Sequence, residues 1–375
     1  MILNQENKFQ VYLQKKAGRS VDITETISGL TWSGDYQQVS RKLDIEILYA
    51  INDSNQPVVI PDVGDHVTMT YNGSAVFAGV VWTRDLSSKA QFIKVTCYDP
   101  LIYLQKSEVC YNFREMTAEA IARQVASGLG VSVGSLASTG VPMNLVAIDK
   151  TAYDTIMTAY TKASKITGVK YLPRYENNAL SIIEKGKTKV SLKMDYAYNV
   201  EGTQFTESLD GMVSRVIIHD EEGNIINTVS NDSWVSAYGI IQAAIQSEEG
   251  KDMNTEAKNT LKPVERKANV EALGCIEAIT GNSVVVRDEH TGLSGLFYID
   301  GDSHTFVNNV YEMQLTIAFE NTMDEKTESS KNETESTSSS DSSDGTSSGD
   351  RTKTDTSWLD NWEVDSDGNV IEPKG

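Results

Sequence analysis

Gly281-Asn282-Ser283-Val284-Val285-Val286, Gly292-Leu293-Ser294-Gly295-Leu296-Phe297-Tyr298-Ile299, His304-Thr305-Phe306 and the run Val310 to Phe319 follow one another closely and read as consecutive β-strands. In the last of them Tyr311, Met313, Leu315, Ile317 and Phe319 alternate with Glu312, Gln314, Thr316 and Ala318. A period of two sends one set of side chains into a core and leaves the other set for solvent or a partner. This stretch closes a β-region that repeats the style of another near the N-terminus. There, Leu43, Ile45, Ile47, Tyr49 and Ile51 alternate with Lys42, Asp44 and Glu46. Pro61-Asp62-Val63-Gly64-Asp65 supplies turn chemistry, and Asn72-Gly73 is a hairpin signal. Short strands with tight turns predict a small barrel or sandwich in each region.

Between the two regions the period changes. Thr117 is placed to cap a helix through Ile121, Val125 and Ala126. Thr151 opens a second helix, with Tyr153, Ile156, Met157, Tyr160 and Ala163 at helical spacing and Gly168 as its stop. Tyr171 to Arg174 and Leu180 to Glu184 form a hairpin across Asn177-Asn178. The expected fold class is α+β, mainly β: two small β-barrel domains around an α/β module, with a helical insertion in the second barrel. The boundaries read as 1–106 for the N-terminal barrel, 107–197 for the module and 198–322 for the second barrel. The helical insertion covers 234–267, with Tyr238, Ile241 and Ile245 on one face of its first part.

From residue 323 to 356 the chain turns acidic and rich in Ser and Thr, a composition that buries too little apolar surface to fold, and it reads as a disordered linker. Residues 357–375 recover Trp358, Leu359 and Trp362 ahead of a hairpin-like stretch, Val364 to Ile371. Two tryptophans at the end of a tether read as a docking peptide.

The 375 residues leave room for two or three domains with their own cores. Fifty-three acidic against 33 basic residues give a formal charge of −20, which argues against binding nucleic acid by phosphate neutralisation or an anionic membrane by charge. Residues 324–375 hold 14 acidic and 5 basic residues, so most of the acidity belongs to the folded part. Cys97, Cys110 and Cys275 are odd in number and far apart, as expected of reduced thiols. The opening Met1 to Lys8 lacks a signal-peptide pattern, and no run approaches the ~20 apolar residues of a spanning helix.

Chemistry-bearing patterns are sparse. His66, His219, His290 and His304 lie far apart, with no Cys or carboxylate at metal-ligand spacing. His304, following Asp300-Gly301-Asp302, is the one that invites a catalytic reading. Gly292-Leu293-Ser294-Gly295 is not a nucleophile elbow, since Leu296 stands where a glycine is needed. Asp365-Ser366-Asp367-Gly368-Asn369 begins like a calcium loop but places Val370 where that loop needs glycine. No catalytic residue, cofactor site or metal site is therefore expected. The rival readings are a peptidoglycan-degrading enzyme acting through an acidic pair, and a carbohydrate-binding adhesin using Trp32, Trp82 and Trp234.

Several phrases taken together carry a family resemblance. Thr31-Trp32-Ser33-Gly34 precedes Arg41-Lys42-Leu43, and Phe77-Ala78-Gly79-Val80-Val81 precedes Val95-Thr96-Cys97-Tyr98-Asp99-Pro100-Leu101. Ser236-Ala237-Tyr238-Gly239-Ile240-Ile241-Gln242 and Gly292 to Ile299 with His304 follow. Over residues 1 to about 322 this resembles the XkdQ/YqbQ-type tail-hub proteins of Gram-positive prophages and tail-like bacteriocins, related in fold to late-control D proteins and contractile-phage baseplate hubs. The resemblance implies two barrels per chain and a homotrimeric ring whose six quasi-equivalent barrels match a sixfold tube. The implied role is a structural, non-enzymatic hub that joins the tail tube to the central spike. Its implied partners include tape-measure and wedge baseplate proteins. The implied location is the bacterial host cytoplasm during assembly, then the tail baseplate of the released particle.

Overall fold

The computed structural model describes residues 8–16, 18, 20–49, 59–87, 90–248, 250–307 and 310–328, together with two short strands, Glu363–Val364 and Val370–Ile371. The N-terminal region holds β1 (Phe9–Gln14), β2 (Ser20–Asp22), β3 (Ile27–Asp35), β4 (Lys42–Leu48), β5 (His66–Tyr71), β6 (Ser74–Leu86) and β7 (Phe92–Tyr98). All pair antiparallel, in the order β2-β1-β5-β6-β7-β4-β3. The alternation from Lys42 is realised in burial: Leu43, Ile45 and Ile47 reach the core beside Leu13, Met69 and Val95. Asn72 and Gly73 turn from β5 into β6 with φ of 48° and 80°, the left-handed pair that a two-residue hairpin requires.

The middle module holds α1 (Ile102–Lys106), β8 (Glu108–Thr117), α2 (Ala118–Gly128), β9 (Val133–Leu136), β10 (Pro142–Thr151), α3 (Ala152–Thr167), β11 (Tyr171–Glu176) and β12 (Ala179–Glu184). The Thr151 hydroxyl accepts the Asp154 amide at 2.9 Å, and Gly168 closes α3 in the left-handed region at φ 73°. Ile121, Val125, Ile156 and Tyr160 form the inner stripes of α2 and α3 in one core. β8 and β10 were not legible beforehand. In β8 Val109, Tyr111 and Phe113 turn toward the module's core between Glu108, Cys110, Asn112 and Arg114, but only Phe113 is fully buried.

The last region holds β13 (Met194–Asp195), β14 (Val200–Ser208), β15 (Arg215–His219), β16 (Ile225–Ser230), α4 (Asp232–Tyr238), β17 (Gln242–Gln246), α5 (Met253–Thr260), β18 (Glu265–Leu273), β19 (Ser283–Arg287), β20 (Ser294–Val307) and β21 (Val310–Ala318). Tyr311, Met313, Leu315 and Ile317 of β21 are buried, and Glu312, Gln314 and Thr316 are exposed, as the alternation requires. The two short strands, β22 (Glu363–Val364) and β23 (Val370–Ile371), pair antiparallel where the hairpin-like stretch was read.

Three expectations change. The segment 234–267 is not a continuous helical insertion. Gly239, at φ 87°, stops α4, and Ile245 lies on β17, which runs parallel to β15. Val216, Ile218 and Ala257 form a small core there, so the insertion is an α/β lobe, and its end at Lys267 overlaps β18. The linker does not begin at 323. Met323 is buried in the module's core, and Asp324 accepts the Tyr153 hydroxyl at 2.6 Å. Lys170 holds Glu325 at 3.0 Å, and Lys162 pairs with Glu328, so the segment to 328 lies along α3. The remainder of the linker lies outside the described residues.

The third change concerns the two β-regions. They share a single ladder, β14-β18-β21-β20-β3-β4-β7-β6-β5-β1-β2, which among the described residues closes into no barrel. The two regions meet at the 14-residue strand β20. Its first half pairs with β19, while residues from Gly301 to Phe306 pair with β3 on one edge and β21 on the other. Phe306 and Tyr311 consequently enter the N-terminal core, and Ile299 and Leu315 enter a second one.

Candidate functional site

The junction of β3, β20 and β21 carries a cluster of polar side chains on a face that is otherwise apolar. A bulge at Ile299–Gly301 sets the inward register, so that Asp302, His304 and Phe306 all face the core. β3 contributes Trp32, and Arg41 stands immediately before β4. Arg41 Nη1 donates to Asp302 Oδ1 at 2.9 Å and Nη2 donates to Oδ2, a two-pronged pair. Its guanidinium lies 3.9 Å from the centre of the Trp32 ring. Asp302 Oδ1 also accepts the amide and hydroxyl of Thr280, each at 2.6 Å.

Burial raises the energy of the ionised Asp302 carboxylate, but the Arg41 charge, the neighbouring His304 and the Arg41 hydrogen bonds outweigh it and hold its pKa well below the usual carboxylate range. His304 is fully buried. Its Nδ1 lies 2.9 Å from the Tyr311 hydroxyl, and its Nε2 lies 3.2 Å from Asp302 Oδ2 without hydrogen-bond angular geometry. The residue that invited a catalytic reading is thus walled in by Trp32, Tyr311 and Asp302. Chemically, the arrangement fixes strands to one another, because each Asp302 oxygen is engaged by protein donors.

A second buried pair lies two residues earlier on β20. Lys185, just after β12, donates to Asp300 Oδ1 and to the Thr322 carbonyl, both at 2.6 Å, beneath the Tyr36 ring. Burial lowers the Lys185 pKa and raises that of Asp300, so both groups feel lost hydration despite their contact. One strand therefore ties the N-terminal region through Asp302 and the middle module through Asp300.

Beside the Arg41 pair opens a cleft of about 740 Å³, between β3, β4, the first half of β6, the turn joining β11 to β12, and residues 276–279. Arg174 of β11 lies at its floor with Arg41. Its Nη1 donates to Asn282 Oδ1 at 2.9 Å and its Nη2 pairs with Glu176. Burial lowers the Arg174 pKa, and the like charge of Arg41 adds to that effect.

Of the residues singled out from the sequence, Trp32 and His304 come together at the junction. Trp82 packs edge-on against Tyr98 and Tyr103, and Trp234 lines a separate cleft of about 490 Å³ with Tyr238, Arg266 and Phe319. His66, His219 and His290 stay apart, and the described residues contain no group of three metal-capable side chains. Trp358, Leu359 and Trp362 lie outside the described residues. Among those residues, no helix is long and apolar enough to cross a membrane. All three cysteines are free thiols. Arg41, Arg174, Lys185, Asp300 and Asp302 were not singled out. The available signal was an ionisable pair, Asp302 and His304, at inward-facing positions of a strand that continues into Phe306, because a charge there needs a buried partner.

Three comparisons place this geometry. XkdQ, a protein of the phage-like element PBSX of Bacillus subtilis, is 24% identical over 294 residues, covering 75% of this chain and 89% of the relative. The 43 kDa tail protein of prophage MuSo2 from Shewanella oneidensis superposes with a TM-score of 0.65 at 16% identity, covering 83% of this chain and 96% of the other. A tail protein from Neisseria meningitidis gives 0.56 at 14% identity, with 82% and 96% covered. The YQBQ-like family pattern matches residues 30–318, from β3 through the middle module to the end of β21, and this chain belongs to the YQBQ-like family.

Proposed function

We propose that this chain is a structural baseplate hub of a contractile phage tail or tail-like particle, and that three copies form a ring joining the tail tube to the central spike. The observation that carries the reading is the continuous sheet through β20, which locks both β-regions into one frame and holds the module to it through Asp300 and Lys185. That fold is shared, over most of its length, with the prophage MuSo2 tail protein and the Neisseria meningitidis tail protein. In this reading the two β-regions act as the two units that a threefold ring offers to a sixfold tube. The solvent-facing row Glu312, Gln314 and Thr316 and the edge strand β14 are surfaces for neighbouring subunits. Tape-measure and wedge proteins are the remaining partners. The chain assembles in the host cytoplasm and leaves in the released baseplate. It contributes position and not catalysis.

Mass photometry of the purified chain tests the ring: the expected species has three times the 41.2 kDa chain mass. A monomer alone across the accessible concentration range overturns the trimer. Trp358, Leu359 and Trp362 serve as a docking peptide for one neighbour. Removing residues 329–375, beyond the segment held on α3, should leave the trimer intact and weaken attachment of a single baseplate protein in a pull-down from assembled particles. Failure of the shortened chain to trimerise would rule out the docking-peptide role.

A further inference from the structure

The ribbon β8–β10 covers the module's core with one face and leaves the other bare. Among the described strands, its two members pair only with each other. Between two bulges the regular ladder is short, Tyr111–Phe113 against Leu145–Ala147. The bulges hold Glu115 and Asp149 in the left-handed region, at φ 51° and 52°. Tyr111, Phe113 and Leu145 belong to the module's core. On the opposite face Cys110 is exposed, and Val146 and Ile148 are 41% and 38% exposed. A two-stranded ribbon with an uncovered apolar face is stabilised by further strands.

The chain itself brings a strand-forming segment to this ribbon. Past β21 it crosses α3 and reaches β10. There Lys150 donates to the Thr327 carbonyl at 2.6 Å, and Lys162 pairs with Glu328 and donates to the Asn144 carbonyl at 3.0 Å. The segment held on α3 thus ends at the rim of the bare face, two positions before Val146 on β10. Residues 329–357 contain no apolar residue, so the apolar residues beyond that point are Trp358, Leu359, Trp362, Val364, Val370 and Ile371. The last three belong to β22 and β23, where Val364 pairs with Val370 and Glu363 with Ile371. β23 lies alongside β8. A hairpin of two-residue strands is too small to persist alone in water and needs a sheet to join.

We propose that the C-terminal hairpin β22–β23 docks on β8 of its own chain, extending the ribbon to four strands and shielding Cys110, Val146 and Ile148. The tether permits it: residues 329–362 reach far beyond the ~5 Å between neighbouring strands. Tethering also selects the occupant, because a linked segment meets its site at an effective concentration on the order of millimolar, well above that of a second copy in dilute solution. Docking fixes the tail at both ends and presents Trp358, Leu359 and Trp362 beside the module, where the neighbour of the docking reading meets them. The place of the hairpin depends neither on the ring nor on that neighbour, so its failure leaves both readings standing.

The test uses the exposed native thiol of Cys110 in the full chain. Val370→Cys puts a second thiol on β23, and Ser347→Cys, in the same tether but outside the hairpin, is the control. A short bismaleimide followed by tryptic mass spectrometry should link Cys110 to the new thiol about tenfold faster in Val370→Cys than in Ser347→Cys. Mixing nitrogen-15-labelled with unlabelled chains separates links within a chain from links between chains. Equal rates for the two variants overturn the proposal, and links mainly between chains overturn the assignment to the hairpin's own chain. Hydrogen exchange needs no substitution: removing residues 329–375 should speed exchange of the β8 amides about tenfold and leave those of the α3 interior unchanged. Unchanged exchange in β8 overturns the docking.

Discussion

Replacing Asp302 with alanine should lower the unfolding free energy by about 3–5 kcal/mol, the cost of stranding a buried charge. Asp302 receives both terminal nitrogens of Arg41 and two Thr280 donors, and its side chain is fully buried. Without it, the Arg41 guanidinium remains buried with no counter-charge, and the ladder between β3 and β20 loses its polar clamp. Urea melts followed by near-ultraviolet circular dichroism measure the loss. A change below about 1 kcal/mol would class the pair with weak surface bridges and sink the argument.

The same pair sets a pH dependence. The folded pKa of Asp302 lies below its unfolded value near 3.9. Its contribution is therefore fully present above about pH 4 and fades as pH falls through the folded pKa. Asp302→Asn should flatten stability against pH in that acid window. A wild-type slope retained by the variant would assign acid sensitivity to other carboxylates.

Lys185→Ala should cost about 3 kcal/mol and loosen the middle module from β20. Lys185 is fully buried and bridges Asp300 with the Thr322 carbonyl, so alanine leaves two acceptors without their donor. The pKa directions of both partners show that burial works against the pair itself. The double variant Lys185→Met with Asp300→Leu should therefore recover most of the loss. Limited proteolysis reads the loosening directly, since cleavage between β12 and β13 should accelerate in the single variant and not in the double. If the double variant is as unstable as the single one, the pair is a net stabiliser and this account of it fails.

Much of the local structure was legible because local physics produces it. The alternation from Lys42 and from Val310 gave strands with the correct inward faces, since a strand's period of two is a property of the backbone. Thr151 and Gly168 bounded α3, because a cap needs a side-chain acceptor and a stop needs a left-handed residue. Strands β8, β10 and β17 alternate in burial, but their residue types mark it weakly: Val146 and Ile148 face outward beside the inward Leu145 and Ala147 of β10, and β17 turns only Ala243 and Ile245 inward. The segment 323–328 looked like linker because its anchors are residues of α3 and Lys170, far away in sequence.

By itself, then, the sequence determined the mainly β character, the two β-regions around a mixed module, the inward faces of their strands, and the resemblance that led to the YQBQ-like family. Tertiary structure alone decided that β20 fuses both regions into one open ladder and buries His304 behind Asp302 and Trp32. It alone brought Arg41 and Arg174 together at one cleft. The physical reason is range. Periodicity and capping act over a few neighbouring residues, whereas Arg41 and Asp302 are 261 residues apart and become partners only when long-range strand pairing brings them together.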